Sequence, residues 1–293
     1  MPELPEVETV RSGLSRFLPG LEITAVDYNW PKSFPSDPVD VKRFLIGSKV
    51  VEVKRRAKVL LIVLNTGYSL VIHLKMTGLL VFRGHYDRFG AGHPTDSLVG
   101  ELPDHSTRAN FTFKDGSQLF FNDQRKFGWI RLISTAELPN VDFIKKFGPE
   151  PLEDTFTWQG LRERLRRRAN TSIKAALLDQ TVLAGIGNIY ADESLWGARI
   201  HPATTVKNLT DIQIKRLFRA LQSVLTLALA KGGSTDRNYV DAEGRKGSYL
   251  SFASVFRREG QPCPRCKSII QKTKVAGRGT HLCPYCQKLQ PDK

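Results

Sequence analysis

Between residues 134 and 150 the hydrophobic pattern of this 293-residue chain changes period, and no other feature limits the fold as much. From residue 21 to 133, short apolar runs such as Val59-Leu60-Leu61-Ile62-Val63, Leu70-Val71-Ile72-His73-Leu74 and Gln118-Leu119-Phe120-Phe121 are punctuated by turn signals such as Asn65-Thr66-Gly67 and Lys114-Asp115-Gly116. Many short strands so spaced predict a β-sandwich. From residue 151 apolar positions recur every three or four residues, which predicts helices over 158–168, 173–180, 188–196 and about 211–231. In the last of these Ile214, Leu217, Leu221, Leu225 and Ala228 share one face. Thr210 and Gln213 suit a capping box, and Gly232-Gly233 a stop. An opening helix is expected as well, with Pro5 in its first turn, Glu6 and Glu8 at the positive end of the dipole, and Val7, Val10 and Leu14 on one face. The expected class is α+β: an N-terminal β-sandwich domain with a leading helix over 2–133, a linker at 134–150, and a helical domain over 151–254. Residues 83–108, rich in Gly, His and Asp, read as a polar surface loop, since His85, His93 and His105 lack metal-ligand spacing.

All four cysteines fall in two knuckles, Cys263-Pro264-Arg265-Cys266 and Cys283-Pro284-Tyr285-Cys286, 16 residues apart. Each knuckle aims two thiolates at one point, and together they supply the tetrahedral sulfur set of a structural Zn²⁺, with no position left open for catalysis. A zinc ribbon is therefore expected over 255–293, its hairpin formed by 268–275 and a Gly-flanked turn that puts Arg278 at the tip.

The chain carries 44 Lys plus Arg against 29 Asp plus Glu, a net charge of +15 that favours a polyanionic partner, nucleic acid before an acidic membrane surface. No basic-then-apolar leader opens it, and the longest apolar runs, such as Val224 to Ala230, are too short to span a bilayer. The expectation is a cytoplasmic protein.

The chemistry concentrates in Pro2-Glu3-Leu4-Pro5-Glu6. Loss of Met1 makes Pro2 a terminal secondary amine. An unperturbed α-amino group titrates near ~8, so roughly a tenth of it is neutral at pH 7, far more than of a lysine. Such an amine is a nucleophile for a sugar carbon, and a nearby cation favours its neutral form.

With this N-terminus stand Arg55-Arg56-Ala57-Lys58, His73-Leu74-Lys75-Met76-Thr77-Gly78, Asp123-Gln124-Arg125-Lys126-Phe127-Gly128, a run from Leu178 to Glu193 containing Gly185-Ile186-Gly187-Asn188, and the ribbon. Together they resemble the bacterial formamidopyrimidine-DNA glycosylases over nearly the whole chain. The resemblance implies a helix-two-turn-helix DNA-binding domain and a monomer associated with the nucleoid. It also implies excision of oxidised purines, chiefly 8-oxoguanine and formamidopyrimidines, from duplex DNA, followed by β,δ-elimination in base excision repair. Pro2 would attack C1′ and form a Schiff base; Glu3 would be the general acid, Glu6 its support, Lys58 a contact to phosphate or lesion, and Arg278 a phosphate grip used in the last elimination. The DNA-binding residues implied are His73, Met76, His105, Arg125, Phe127, Arg168, Lys174 and Asn188. Met76, Arg125 and Phe127 among them would fill the gap left by an extruded nucleotide. Residues 234–250 occupy the place of the family's lesion-capping loop but read Lys246-Gly247-Ser248 where a Pro-Gly-Tyr type is usual. Asp104-His105-Ser106-Thr107-Arg108 departs from the usual Lys-His-x-His. Two alternatives stay open: an endonuclease VIII-like enzyme for oxidised pyrimidines, and a damage-binding protein without catalysis.

Overall fold

The computed structural model describes residues 1–92, 95–234 and 248–289. The chain divides into two compact units, one of Met1–Lys145 with Gly232–Ser248 and one of Lys146–Lys231 with Tyr249–Lys293.

Unit 1 begins with helix α1 (Leu4–Phe17), which buries Leu4, Val7, Val10 and Leu14. Gly13 lies on the same face, where a Cβ would stand 2.1 Å from the Phe89 ring, so only glycine lets the helix approach so closely. Among the described residues nine antiparallel strands follow: β1 (Ile23–Tyr28), β2 (Val50–Arg56), β3 (Val59–Leu64), β4 (Tyr68–His73), β5 (Gly78–Arg83), β6 (Arg88–Gly92), β7 (Thr107–Phe113), β8 (Gln118–Asp123) and β9 (Trp129–Ser134). They form two sheets, ordered β1-β7-β8-β5-β6 and β2-β3-β4-β9. Alternate residues of both, among them Leu60, Ile62, Leu80, Phe111 and Phe121, meet in one buried cluster with the apolar face of α1. This is the expected sandwich. One-turn helices α2 (Pro38–Asp40) and α3 (Asp142–Lys145) also belong to this unit.

One expectation is corrected here: residues 83–108 are not merely a surface loop. They contain β6, which pairs with β5, and buried Phe89 and Ala91. The strand was hidden because Arg-Phe-Gly-Ala-Gly has low β-propensity. Gly92 is needed there (φ +137°), since a Cβ would lie 2.5 Å from the Gly78 carbonyl oxygen.

Unit 2 is helical: α4 (Trp158–Arg166), α5 (Ile173–Leu178), α6 (Asn188–Ala198), α7 (Asp211–Ala230) and the short α8 (Tyr249–Phe252). Thr157, Ser172 and Thr210 cap the first, second and fourth of these through their hydroxyls, and the Thr210/Gln213 capping box is formed. Leu161, Leu165, Leu177, Tyr190, Leu217 and Leu221 lie in one core. The hairpin β10 (Gln271–Val275) and β11 (Arg278–Leu282) belongs to the same unit. Among the described residues no helix is long and apolar enough to cross a membrane.

Candidate active site and nucleic-acid interface

Strand register brings three turns of unit 1 to one end of the sandwich. The β2–β3 hairpin closes on the pair Arg56–Val59, leaving Ala57, left-handed at φ 53°, and Lys58 as its turn. Val59 pairs with His73, and His73 with Trp129. The Lys58 turn is therefore level with the points where β4 leaves its sheet and β9 enters it. Those two crossings, 74–77 and 124–128, run side by side because β4 pairs with β9 and β5 with β8, Gly78 lying opposite Asp123. The start of α1 comes to the same end. Its Glu8 accepts from Arg55 Nε at 2.9 Å while Ser15 donates to the Val53 carbonyl, so the helix runs antiparallel to β2. Arg55 also donates to the Ala57 carbonyl at 2.9 Å, which ties the Lys58 turn to the helix. Pro2, Glu3, Glu6, Lys58, His73, Met76, Arg125 and Phe127 thus share one end of unit 1.

Glu3 is the N-cap of α1, and Glu3 and Glu6 close a reciprocal capping box, with Glu3 N–H donating to Glu6 Oε2 at 2.8 Å. The other oxygen of Glu6 accepts from Ser234 N–H at 2.6 Å and from its hydroxyl at 2.9 Å. Both carboxylates are buried, Glu3 at 3 % and Glu6 at 7 % exposure. Glu6 thus holds the chain at the edge of the 234–250 segment, of which 235–247 lie outside the described residues. Lys58 is buried too. His73 accepts the Lys75 N–H on Nδ1 at 3.0 Å. Burial first, then the charges of Lys75 and Lys58, lower its pKa to about 3. At neutral pH it is an uncharged imidazole whose Nε2–H is the available donor.

Met76 and Phe127 are exposed, at 39 % and 53 %, although such side chains ordinarily belong inside. The Arg125 guanidinium lies 4.7 Å above the Phe127 ring. The buried Asp123 holds this platform: it accepts from Gly128 N–H at 2.6 Å, from Arg125 N–H at 3.2 Å and from the Thr77 hydroxyl, joining the two crossings. Arg108 spans from the Asp123 carbonyl (2.8 Å) to the His105 carbonyl (2.7 Å), so the exposed His105 is held beside the same turn.

In unit 2 the Gly-Ile-Gly-Asn turn is organised by Gln180, whose amide donates to Ile186 O at 2.8 Å and accepts from Gly185 N–H at 3.0 Å. Arg168, just beyond α4, pairs with Asp179 at 2.6 Å, and within α4 Arg162 pairs with Asp211 at 2.8 Å while Arg164 donates to the Thr181 carbonyl at 3.0 Å. Asn188 donates to the Gly279 carbonyl at 3.0 Å. Arg278 is exposed, but the left-handed turn is Ala276-Gly277, and Arg278 is the first residue of β11, beside the tip.

Lys174 does not face phosphate. Its side chain is fully buried, 2.6 Å from Asp192 Oδ1, and it donates to Gly279 O at 3.1 Å and Thr280 Oγ1 at 2.7 Å. Burial of an ammonium requires such partners, and here it fastens the strand that carries Arg278.

The four cysteine sulfurs lie within 4.8 Å of one another, with Cys266–Cys283 at 3.4 Å and Cys263–Cys286 at 4.0 Å. A tetrahedron with Zn–S of about 2.3 Å has edges of about 3.8 Å, so the sulfur set fits one structural zinc. The Trp196 indole N–H donates to Cys263 Sγ at 3.4 Å, and the Arg265 guanidinium lies 4.0 Å over the indole.

Comparison with known proteins decides the relationship. Residues 1–130 match the formamidopyrimidine-DNA glycosylase N-terminal domain, 147–239 the formamidopyrimidine-DNA glycosylase H2TH domain, and 260–289 the zinc finger found in FPG and IleRS. The chain belongs to the formamidopyrimidine-DNA glycosylase family. It is 44 % identical over 291 residues to the formamidopyrimidine-DNA glycosylase of Pelotomaculum thermopropionicum, covering 99 % of this chain and 100 % of that one. With the Chloroflexus aurantiacus protein of the same name it is 43 % identical, covering 98 % of each. Among solved structures it is similar to a Lactococcus lactis FPG mutant in complex with Fapy-dG-containing DNA (TM-score 0.86, 34 % identity, 98 % and 100 % of the two chains). It is similar also to the MutM (FPG) protein of Thermus thermophilus (TM-score 0.83, 37 % identity, 99 % and 100 %). As a formamidopyrimidine-DNA glycosylase the chain is a DNA-binding base-excision-repair enzyme for oxidised bases, AP lyase activity is a general property of its family, and its ribbon holds one structural zinc.

Sequence reasoning missed the tethering roles of Arg55, Asp123, Asp192 and Ser234, whose partners Glu8, Thr77, Lys174 and Glu6 lie far along the chain.

Proposed function

We propose that this glycosylase excises oxidised purines, 8-oxoguanine and formamidopyrimidines, through Pro2. The observation that carries the reading is the convergence of the α1 N-terminus, the Lys58 turn and the Met76 and Arg125–Phe127 crossings at one end of unit 1.

With Met1 removed, the neutral Pro2 amine attacks C1′ and the C1′–base bond breaks, its electron pair leaving with the base. The amine then loses its proton as the sugar ring opens, giving an iminium. Glu3 supplies a proton to the ring oxygen, which takes the electron pair of the broken C1′–O bond. The iminium acidifies the C2′ proton, whose loss expels the 3′ phosphate; a second elimination expels the 5′ phosphate. Lys58 keeps positive charge beside the amine and favours its neutral form. Glu6 holds the Glu3 backbone and Ser234. His73 donates a neutral N–H to phosphate, Arg278 grips phosphate, and Asn188 offers its remaining N–H. His105 and Arg168 line the DNA, and Met76, Arg125 and Phe127 fill the vacated stack, Arg125 addressing the estranged base. Segment 234–250 covers the extruded lesion. The protein works as a monomer, in the cytoplasm at the nucleoid.

Borohydride trapping tests the nucleophile. Protein shown by mass spectrometry to lack Met1 should be fixed covalently, at Pro2, to an oligonucleotide carrying 8-oxoguanine opposite cytosine. Absence of an adduct, or an adduct on a lysine, would refute the mechanism. Faster excision of an oxidised pyrimidine than of 8-oxoguanine would shift the substrate to the endonuclease VIII type.

A further inference from the structure

The solvent face of α7 carries a feature that excision does not use. Two cavities open along it. One, of about 380 Å³, has Trp196, Leu227, Tyr249 and Phe252 as apolar walls and is lined also by Arg216 and Arg219. The other, of about 290 Å³, is lined by Trp158, Phe218, Lys215 and Arg219. Both lie near the lower end of the size of binding pockets, roughly 300–1,000 Å³. Arg219 belongs to both, so a short cationic ridge separates two apolar holes. Leu227 and Phe252, both lining the larger cavity, remain 37 % and 48 % exposed.

The charges on this ridge are uncommitted. Arg162 and Arg166 of α4 are paired with Asp211. Among the described residues, Arg216 and Arg219 form neither an ion pair nor a hydrogen bond. Lys215 rests 4.3 Å over the Trp158 ring, and Lys231 4.5 Å over Phe252, at the far end of the same helix. The carboxylate lining the larger cavity, Glu193, is 2 % exposed and does not oppose an anion. Its two oxygens accept the N–H groups of Ser254, Val255 and Phe256 at 2.8–2.9 Å, and burial raises its pKa.

We propose that this face of α7 is a docking site for an acidic peptide segment of a partner protein that carries two apolar anchor side chains. Its anchors enter the two cavities and its carboxylates meet Lys215, Arg216 and Arg219, the guanidiniums taking them bidentately. A DNA backbone would satisfy the cations and leave both cavities empty. A single small aromatic acid would fill one cavity only.

The test uses the full-length protein and fluorescein-labelled peptides of alternating Asp and Glu bearing two Phe residues two to six positions apart. Anisotropy should detect one or more spacings with a dissociation constant on the order of 10 μM. Changing both Phe to Ala in the peptide, or Arg219→Glu in the protein, should weaken binding at least about tenfold. Ser223→Trp, which fills the larger cavity from its rim, should do the same, and both protein variants should excise lesions at the parental rate. Failure of every spacing, or binding indifferent to Arg219→Glu, would overturn the proposal. So would Arg219→Glu variants whose duplex affinity falls with a shallower salt dependence, a result that assigns the ridge to DNA.

Discussion

Replacing Lys174 by methionine separates a phosphate ligand from a structural ion. The side chains of Lys174 and Asp192 are both fully buried and 2.6 Å apart. Removing one partner of a buried ion pair typically costs about 3–5 kcal/mol, because the other charge is left without compensation. Asp192 keeps one bond, accepting His281 N–H at 2.9 Å, which favours the lower figure. About 3 kcal/mol is a large part of the 5–15 kcal/mol of a typical domain and should lower the melting temperature of unit 2 by about 10 °C. The lost bonds to Gly279 and Thr280 also loosen the strand that presents Arg278, so DNA affinity should fall although Lys174 touches no DNA. Calorimetry of the full chain and a salt titration of duplex binding read both effects. The double variant Lys174→Met/Asp192→Leu removes both charges and should recover most of the stability and the affinity. The reasoning is refuted if Lys174→Met melts like the parent, binds with a log K versus log salt slope shallower by about 0.9, and is not rescued by the second substitution, because that is how a phosphate contact behaves.

Three further outcomes follow from the geometry. His73, with a native pKa of about 3 against about 6.5 unfolded, binds its proton only when unfolded between those values, so its stabilisation of unit 1 is fully present above pH ~6.5 and is lost as pH falls toward 3. Side-chain NMR should show a neutral imidazole at pH 5 and His73→Gln a shallower acid destabilisation; a resonance titrating near pH 6.5 would contradict the burial. Gly233→Ala forces a Cβ at φ +82° to within 2.8 Å of Glu6 Oε1 and should break the Glu6–Ser234 bonds, costing about 1 kcal/mol or more and slowing excision more than duplex binding. Equal loss of both would mean that Ser234 serves grip rather than chemistry. Chelation should release one zinc per chain and shift the emission of Trp196, because the indole N–H loses its thiolate acceptor; Trp196→Phe should abolish that shift and speed zinc release. An identical shift in Trp196→Phe would assign it to another tryptophan.

The sandwich, the four main helices and the zinc ribbon were legible because each writes a local pattern or spacing: short apolar runs between turn signals in β3 and β8, the stripe of α7, two knuckles for one metal. Strand β6 was not, since glycines replace the residues that would have alternated, and only its pairing with β5 makes it a strand. The zinc ligands were legible for a related reason, as a thiolate is recognisable by type, and the proposed role of Pro2 rests on the same kind of recognition. Lys174 misled for the converse reason. A lysine among arginines reads as surface charge, and nothing near it in sequence announces Asp192, 18 positions on, or the ribbon strand a hundred residues away.

In the mechanism proposed above, the two readings of the first eight residues, helix start and reaction centre, describe one device. Glu3 is the N-cap, so the residue before it, Pro2, is held where the helix ends and the dipole is positive. Glu6 completes the capping box with one oxygen and fastens Ser234 with the other. Glu8, two residues further, fixes through Arg55 the turn that carries Lys58. Three carboxylates that a helix N-terminus would attract on electrostatic grounds alone would therefore, in that mechanism, also set where the proposed amine, its acid and its neighbouring cation stand. On that mechanism a substitution that spared the chemistry of Glu6 but weakened the cap would still move Pro2, so helix stability and reactivity should be coupled at this end of the chain.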